Sequence, residues 1–262
     1  MSADAERAVP HPAGQADNRP KASTITITPP GPRADDDSGR PLWVSVEGIN
    51  GIGKTSAVYA TAASLGSRCL CLDELTDQTT DSLPGRVIAA LSASGDVFLR
   101  TGHPVVETLA LLALKFREFE RLDSARLDGV DVIVEDRGVD SVAVYQGAIL
   151  HGAHRPTPAR TVAQQILATA RRWRPVPDAT ILLTGDRKVS AARFAARIGR
   201  ELTARDQEVI EQAEQLYRDL AAAEPDRFTV IDVTGQDAEG TGKAVEAAVR
   251  AAVAHREVNR AS

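Results

Sequence analysis

The run Gly48-Ile49-Asn50-Gly51-Ile52-Gly53-Lys54-Thr55 restricts the fold of this chain more than any other stretch of its 262 residues. It fits the pattern G-x-x-x-x-G-K-[S/T], and its surroundings fit as well. Before it, residues 42–46 (LWVSV) form an apolar, β-branched run that predicts a strand; after it, residues 54–65 have helical character. The chemistry explains each position. Gly48, Gly51 and Gly53 let successive backbone N–H groups turn inward as an anion nest. The helix that opens around Ser56 adds orphan N–H groups and the positive end of its dipole. The Lys54 ammonium suits phosphate oxygens, and the Thr55 hydroxyl suits Mg²⁺.

From residue 42 onward the strand–helix alternation repeats. Apolar runs at 42–46, 69–72, 130–134, 179–183 and 228–233 are separated by helical stretches at 54–65, 84–94, 105–125, 139–150, 159–172, 189–223 (broken inside) and 241–255. This predicts an α/β domain, a three-layer sandwich of P-loop NTPase type with a mostly parallel five-stranded sheet. No internal repeat divides it, so one domain is expected over 41–255. Residues 1–40 are rich in Pro, Ala, Asp, Arg and Ser, with a short TITIT patch at 24–28, and are expected to be a disordered tail. Residues 256–262 are expected to be a flexible C-terminus.

A formal charge of −5 argues against a nucleic-acid polymer as partner, because backbone phosphates call for a broad basic surface. No stretch approaches the ~18 apolar residues of a membrane span, and the N-terminus lacks the apolar core of a secretory signal. Cys69 and Cys71 are too few for a disulfide framework and read as buried strand residues in a reducing compartment, so a cytoplasmic location is expected. His103, His151 and His154 lack partners at metal-ligand spacing, which argues against zinc. Trp43 and Trp173 read as packing residues.

The third apolar run leads into Glu135-Asp136-Arg137. Ligands of open α/β sheets sit beyond the carboxyl ends of the strands, so these charges are expected to face the same crevice as the glycine-rich loop. A carboxylate there can hold Mg²⁺ through water or orient an acceptor, and an arginine beside it can grip phosphate as a bidentate fork. A solvated ion pair of Asp136 with Arg137 or Arg117 is the competing reading. Further on, Arg193, Arg197 and Arg200 recur at i, i+4, i+7, which places them on one side of a helix; pairing with Glu201, Asp206 and Glu208 is the alternative.

VEGINGIGKTS at 46–56 followed by EDRGVDSVAVYQG at 135–147 resembles the thymidylate kinases, whose signatures run approximately FEGIDGxGKST and DRYxxSxxAYQ. The likeness extends over most of 42–235 and includes ETLALLALKFREFE at 107–120 and YRDLAAAEPDRFTVID at 217–232. The resemblance implies ATP held by Gly48, Asn50, Gly51, Ile52, Gly53, Lys54, Thr55 and Ser56, with Mg²⁺ on Thr55 and Asp136. It implies catalytic roles for Lys54, Asp136, Arg137 and Arg197, and a helical lid whose Arg193 and Arg197 cover the transferring group. On the acceptor side it implies Arg137 on a phosphate, Tyr145 under a deoxyribose with Gln146 beside it, Arg117 at a pyrimidine's carbonyl edge, and Glu74 among the contacts. Val233-Thr234-Gly235-Gln236 would border the adenine. A homodimer is left open. The residues bear on Arg117 in their own right: Leu109, Leu112, Phe116 and Phe119 are the expected core stripe, while Arg117 falls with Val106, Ala110 and Ala113. It either lines a pocket or pairs at the surface with Glu120.

The departures from the family pattern lie on the acceptor side. Asn50 stands where an acidic residue is usual, Gly138 replaces the third residue of D-R-Y, Ala113 replaces a stacking aromatic, and Val142 replaces a small polar residue. A lost stack alone costs roughly 1–3 kcal/mol per base. The expected activity is ATP-dependent phosphorylation of a (deoxy)nucleoside monophosphate, thymidylate or a related pyrimidine nucleotide. Two alternatives stay open: a kinase of a nucleoside or other small-molecule hydroxyl, which Glu74 and the Asp-Arg dyad also suit, and a nucleotide-binding regulator without catalysis.

Overall fold

The computed structural model describes residues 40–261 apart from 78, 80, 94, 154 and 155, so the expected tail up to residue 39 and His154 lie outside the described residues. Five strands, β1 (Leu42–Glu47), β2 (Cys69–Leu72), β3 (Val132–Asp136), β4 (Ala179–Thr184) and β5 (Phe228–Asp232), form one sheet in the order β2-β3-β1-β4-β5. Every pairing is parallel, so the sheet is wholly rather than mostly parallel. The helices are α1 (Lys54–Leu65), α2 (Leu83–Leu91), α3 (Pro104–Glu120), α4 (Ser124–Leu127), α5 (Val139–Ala153), α6 (Ala159–Ala170), α7 (Arg187–Ile198), α8 (Ala204–Ala223) and α9 (Ala238–Ala261).

β1 lies at the centre, and all six of its residues are buried because helices cover both faces of the sheet. Its even residues, with Val132 and Val134 of β3, pack on Ala57 and Val58 of α1 and Val245 and Val249 of α9. That face is apolar up to Asp136, the last residue of β3. The odd residues Trp43, Ser45 and Glu47, with Ile133 and Glu135, point to the other side, where polar bonds reach α3, α5 and α8.

The helical stretch at 189–223 is broken, as expected, and the break falls between Ile198 and Ala204. Asp186 caps α7, Gly199 ends it at φ 67°, and Thr203 with Asp206 forms a capping box that starts α8. Several edges differ from the sequence reading: the helix expected over 105–125 is divided into α3 and α4, and two other shifts matter more for the site and the chain's end. β3 both begins and ends two residues later than expected, and its later end takes Glu135 and Asp136 into the strand. α9 continues past 255 to Ala261, since no glycine or proline stops it and Arg256 reaches Asp178 at 3.6 Å. Arg40, counted with the tail, is tied to the same Asp178 through two bonds of 2.6 and 2.8 Å.

The stripe expected on α3 is rotated. Leu109 is 59% exposed, whereas Glu107, Thr108, Leu111, Leu112, Leu114 and Lys115 are buried. Polar partners decide this. Glu107 accepts from Thr101 and His103 N–H groups, Thr108 donates to Gln146, and Lys115 donates to Glu135. Unmet, the buried Thr108 hydroxyl would cost about 1–3 kcal/mol and the Glu107 and Lys115 charges more, together well above what burying Leu109 gains, so they set the helix's orientation. Trp173, expected as a packing residue, is half-exposed and meets the Phe116 ring at a tilt, with ring centres 6.4 Å apart. Cys69 and Cys71, expected to be buried, are only half-buried, because β2 is an edge strand of the sheet.

Candidate active site

The carboxyl ends of β1 and β3 lie side by side, in register from Leu42 opposite Val132 to Val46 opposite Asp136. The glycine-rich loop leaves β1 there, and the Asp136-Arg137 turn leaves β3. Gly53 caps α1 in the left-handed region at φ 109°, with no side chain bonded to the first amides and no acid in the first turn. The helix start is therefore open to an anion. α7 rests directly on the loop: a Cβ at Gly51 would meet the Ser190 carbonyl oxygen at 2.1 Å, so only glycine fits beneath that helix. Ile52 is buried in the core under the loop, and Ser56 is exposed at the helix start.

Lys54 is 4% exposed, and its Nζ donates to the Ile49 carbonyl at 2.8 Å. Burial, and then Arg137, pull its ammonium down to about 7, against the opposing pull of Asp136, Glu74 and Glu47. Asp136 is buried, and neither carboxylate oxygen has a hydrogen-bond donor among the described residues. Burial raises its carboxyl; Lys54 and Thr55 lower it in part, Thr55 lying close without a well-formed bond. An uncapped helix start, a desolvated ammonium and a buried carboxylate without a donor, next to a threonine hydroxyl, fit a triphosphate with its divalent cation. No group of three or more His, Cys, Asp or Glu among the described residues could hold a metal by itself. Mg²⁺, which keeps several waters and leans on phosphate oxygens, needs no such cage.

Arg137 is held on every side. Its Nε pairs with Glu74 at 2.8 Å and Nη2 donates to Asn50 Oδ1 at 2.7 Å, while Nη1 makes longer contacts of 3.5 Å to the Gly48 carbonyl and 3.4 Å to Ser141 Oγ. Burial raises the Glu74 carboxyl, but Arg137, Lys54 and Arg197 outweigh it and leave the group below its ordinary value. The Tyr145 hydroxyl donates to Asn50 Oδ1 at 2.6 Å and accepts from the Asn50 amide at 3.2 Å, and the Arg137 guanidinium lies 5.3 Å from its ring centre. Asn50, expected among the ATP contacts, is thus committed by side chain and backbone to Arg137 and Tyr145.

Other expected residues fall outside this cluster. Glu135 was to face the crevice with Asp136, but strand alternation turns it to the opposite face, where Lys115 (2.9 Å), Arg174 (3.1 Å) and the Trp43 indole (2.8 Å) surround it. Burial alone would raise its carboxyl; Arg174 and Lys115 hold it well below the usual range instead. Gln146 is buried and takes the Thr108 hydroxyl at 3.0 Å, which joins α5 to α3. Arg117 is half-buried on α3, and among the described residues it forms no ion pair with Glu120. Arg193 and Arg197 are exposed on α7; Arg197 lies over the Phe194 ring at 5.4 Å and borders the cluster closely enough to act on the Glu74 carboxyl. Arg200 lies beyond the helix and pairs with Asp206 at 2.9 Å, so it does not share a face with the other two. Val233 is buried and Thr234 bonds to Asp232 beside Gly185, at the loop expected to border adenine.

Glu47 was missed. It is fully buried, accepts from the Gly138 amide at 2.7 Å and Ser141 Oγ at 2.5 Å, and takes the Tyr217 hydroxyl at 3.0 Å. Burial, with Asp140 nearby, pushes its carboxyl up to about 7. It braces the turn that presents Arg137. An acid ending an otherwise apolar strand was the available signal.

Residues 46–243 match the thymidylate kinase family profile. A thymidylate kinase of Bifidobacterium longum is 30% identical over 210 residues, covering 80% of this chain and 97% of that protein. A probable thymidylate kinase of Halobacterium salinarum is 29% identical over 193 residues, covering 74% and 88%. The solved thymidylate kinase of Ehrlichia chaffeensis superposes with a TM-score of 0.57 at 19% identity, over 81% of this chain and 99% of that one, and so shares the fold. With the glycine-rich loop and the Asp136-Arg137 turn joined in one crevice, and sequence matched over most of its length, the chain belongs to the thymidylate kinase family.

Proposed function

We propose that this protein transfers the terminal phosphoryl group of ATP to a pyrimidine deoxynucleoside monophosphate, dTMP or a close relative. The observation that carries the reading is Arg137, a second buried cation clamped against the glycine-rich loop by Asn50 and Glu74. A triphosphate alone has no use for it; an acceptor that brings its own phosphate does. The two weak contacts of Nη1, at 3.5 and 3.4 Å, mark the edge that can exchange for phosphate oxygens. Bound Mg²⁺-ATP supplies the activated phosphoryl group. Lys54 and the first amides of α1 stabilise charge that grows on it, and Asp136 with Thr55 fixes the cation's side of the site. Arg197, on a helix already seated over the loop, is the lid cation that excludes water. Tyr145, fixed by Asn50, supports a preference for 2′-deoxy acceptors. No helix among the described residues is long and apolar enough to cross a membrane, and both cysteines are free, which supports a cytoplasmic setting.

The test is ADP release from Mg²⁺-ATP with dTMP, dUMP, dCMP, UMP and the matching nucleosides, for the wild type and Arg137→Ala. We expect turnover of deoxynucleoside monophosphates and less than a hundredfold preference for dTMP over dUMP. A methyl in an apolar pocket supplies only ~1–3 kcal/mol, and Ala113 provides no stack. Arg137→Ala is expected to raise the acceptor KM at least tenfold, as loss of a charge-assisted bond worth ~1.5–3 kcal/mol would, with the ATP KM little changed. Activity on nucleosides but on no monophosphate would overturn the assignment.

A further inference from the structure

Between the acceptor side and the lid runs an unbroken line of rings and cations. The Arg137 guanidinium lies 5.3 Å from the Tyr145 ring, Tyr145 stacks on Phe98 at 5.8 Å and 22°, Phe98 meets Phe194 at 5.8 Å and 56°, and Arg197 lies 5.4 Å from the Phe194 ring. Of the three rings in this line, Phe98 alone lies outside α5 and α7. It is 6% exposed and belongs to the loop that precedes α3. That loop is held at both ends. Asp96 accepts from the Phe98 amide at 2.9 Å and from the Arg100 amide at 3.2 Å, and Leu99 takes a positive φ of 59°. Arg100, 5.3 Å from the Phe98 ring, pairs with Asp96 at 2.8 Å and also with Asp206, which in turn receives Arg200 just beyond the lid helix.

We propose that Phe98 is the positioning residue that couples acceptor binding to the lid: occupancy at Arg137 and Tyr145 is transmitted through its ring to Phe194 and thereby to Arg197. The proposal rests on the acceptor reading given above. An aromatic pair has offset-stacked or tilted preferences, so a shift of Tyr145 towards a bound sugar changes which placement of Phe98, and then of Phe194, is favoured. Both partners of Phe98 sit on rigid helices, and α7 is seated against the glycine-rich loop at Gly51, so small ring movements are not absorbed by loose chain. A ring that only filled space would contribute to stability alone. One that couples must make the two ligands tighten each other, by the same factor in both directions.

The experiment measures the affinity of a non-hydrolysable ATP analogue with Mg²⁺, with and without saturating dTMP, and the affinity of dTMP with and without the analogue. Wild type and Phe98→Leu are compared, leucine filling most of the volume without a face; Phe98→Met serves if that variant does not fold. In the wild type each ligand is expected to tighten the other. In Phe98→Leu the coupling factor is expected to fall at least threefold and the dTMP KM to rise about three- to tenfold, the range an aromatic pair supplies. The analogue's affinity in the absence of dTMP is expected to stay within about twofold of the wild-type value, since Phe98 is buried against Tyr145 and Phe194 and lies outside the glycine-rich loop and the start of α1. An unchanged coupling factor, or an equal loss of affinity for the analogue alone, overturns the proposal and makes Phe98 a packing residue. A wild type that turns over dTMP with no coupling overturns it while leaving the acceptor reading intact. A wild type that accepts no monophosphate overturns both.

Discussion

Glu135 and Asp136 are neighbours in one strand, yet they live under opposite rules. Glu135 is enclosed by Lys115, Arg174 and Trp43, and its charge is fully answered. Asp136, on the other face, is as deeply buried and has no donor among the described residues. The same contrast separates two buried lysines. Glu135 and Glu118 raise Lys115 above its ordinary value despite its burial, while burial and Arg137 pull Lys54 down to about 7. A buried charge with all its partners is part of the framework. One without them is a vacancy in the hydrogen-bond count that a ligand is suited to fill.

If the contrast is sound, removing Lys115 should have the largest effect, and on stability. Lys115→Ala leaves Glu135 with Arg174 as its one ion-pair partner, beside the Trp43 indole, and breaking a buried ionic cluster costs about 3–5 kcal/mol. Denaturant unfolding should show that loss, and replacing Lys115, Glu135 and Arg174 together by apolar residues should recover most of it. A Lys115→Ala protein as stable as the wild type would mean the cluster is no framework. Lys54→Ala should do the reverse: turnover down ~10²–10³-fold, as for loss of one preorganised contact to developing charge, without a comparable fall in unfolding free energy. Near-native turnover in a folded variant would break the assignment.

The smallest effect concerns protons. With its ammonium near 7 in the free protein, Lys54 is largely neutral at pH 8, whereas a bound triphosphate favours the charged form. Nucleotide binding at pH 8 should take up at most about one proton, and affinity should weaken as pH rises above 7. Calorimetry in buffers of different ionisation enthalpy reads the uptake directly; none at pH 8 would show Lys54 already charged. The stability counterpart has a fixed sign. The folded value lies below the 10.5 of an ordinary lysine, so Lys54 opposes folding fully below pH 7, and that opposition lifts as pH rises from 7 to 10.5.

These contrasts also show what could be read before the structure. The glycine-rich loop, its flanking strand and helix, and the Asp136-Arg137 turn are local patterns, and each landed in the crevice. Alternation along β3 was legible in principle, but ending the strand at 134 rather than 136 took Glu135 and Asp136 out of it, and with them the opposite directions in which they point. The α3 stripe went wrong for a different reason: apolar spacing ignores the buried partners of Glu107, Thr108 and Lys115, which come from elsewhere in the chain. Arg174 and Phe98 carried no sequence signal at all. Their roles depend on contacts 39 and 47 residues away in sequence, with Glu135 and Tyr145.

Arg137 stands at φ 64°, in the left-handed region that side chains other than glycine enter at a cost of about 1–3 kcal/mol. That conformation swings its guanidinium back across the loop to Asn50 and Glu74. For protein engineering the consequence is awkward. A stabilisation campaign that ranks substitutions by backbone comfort would favour glycine at position 137 over any other uncharged residue, and that choice would discard the cation that meets the acceptor. Thermal tolerance sought in this chain is better gained away from this turn, and a library screened only for melting temperature would drift toward proteins that keep their fold and lose their second substrate.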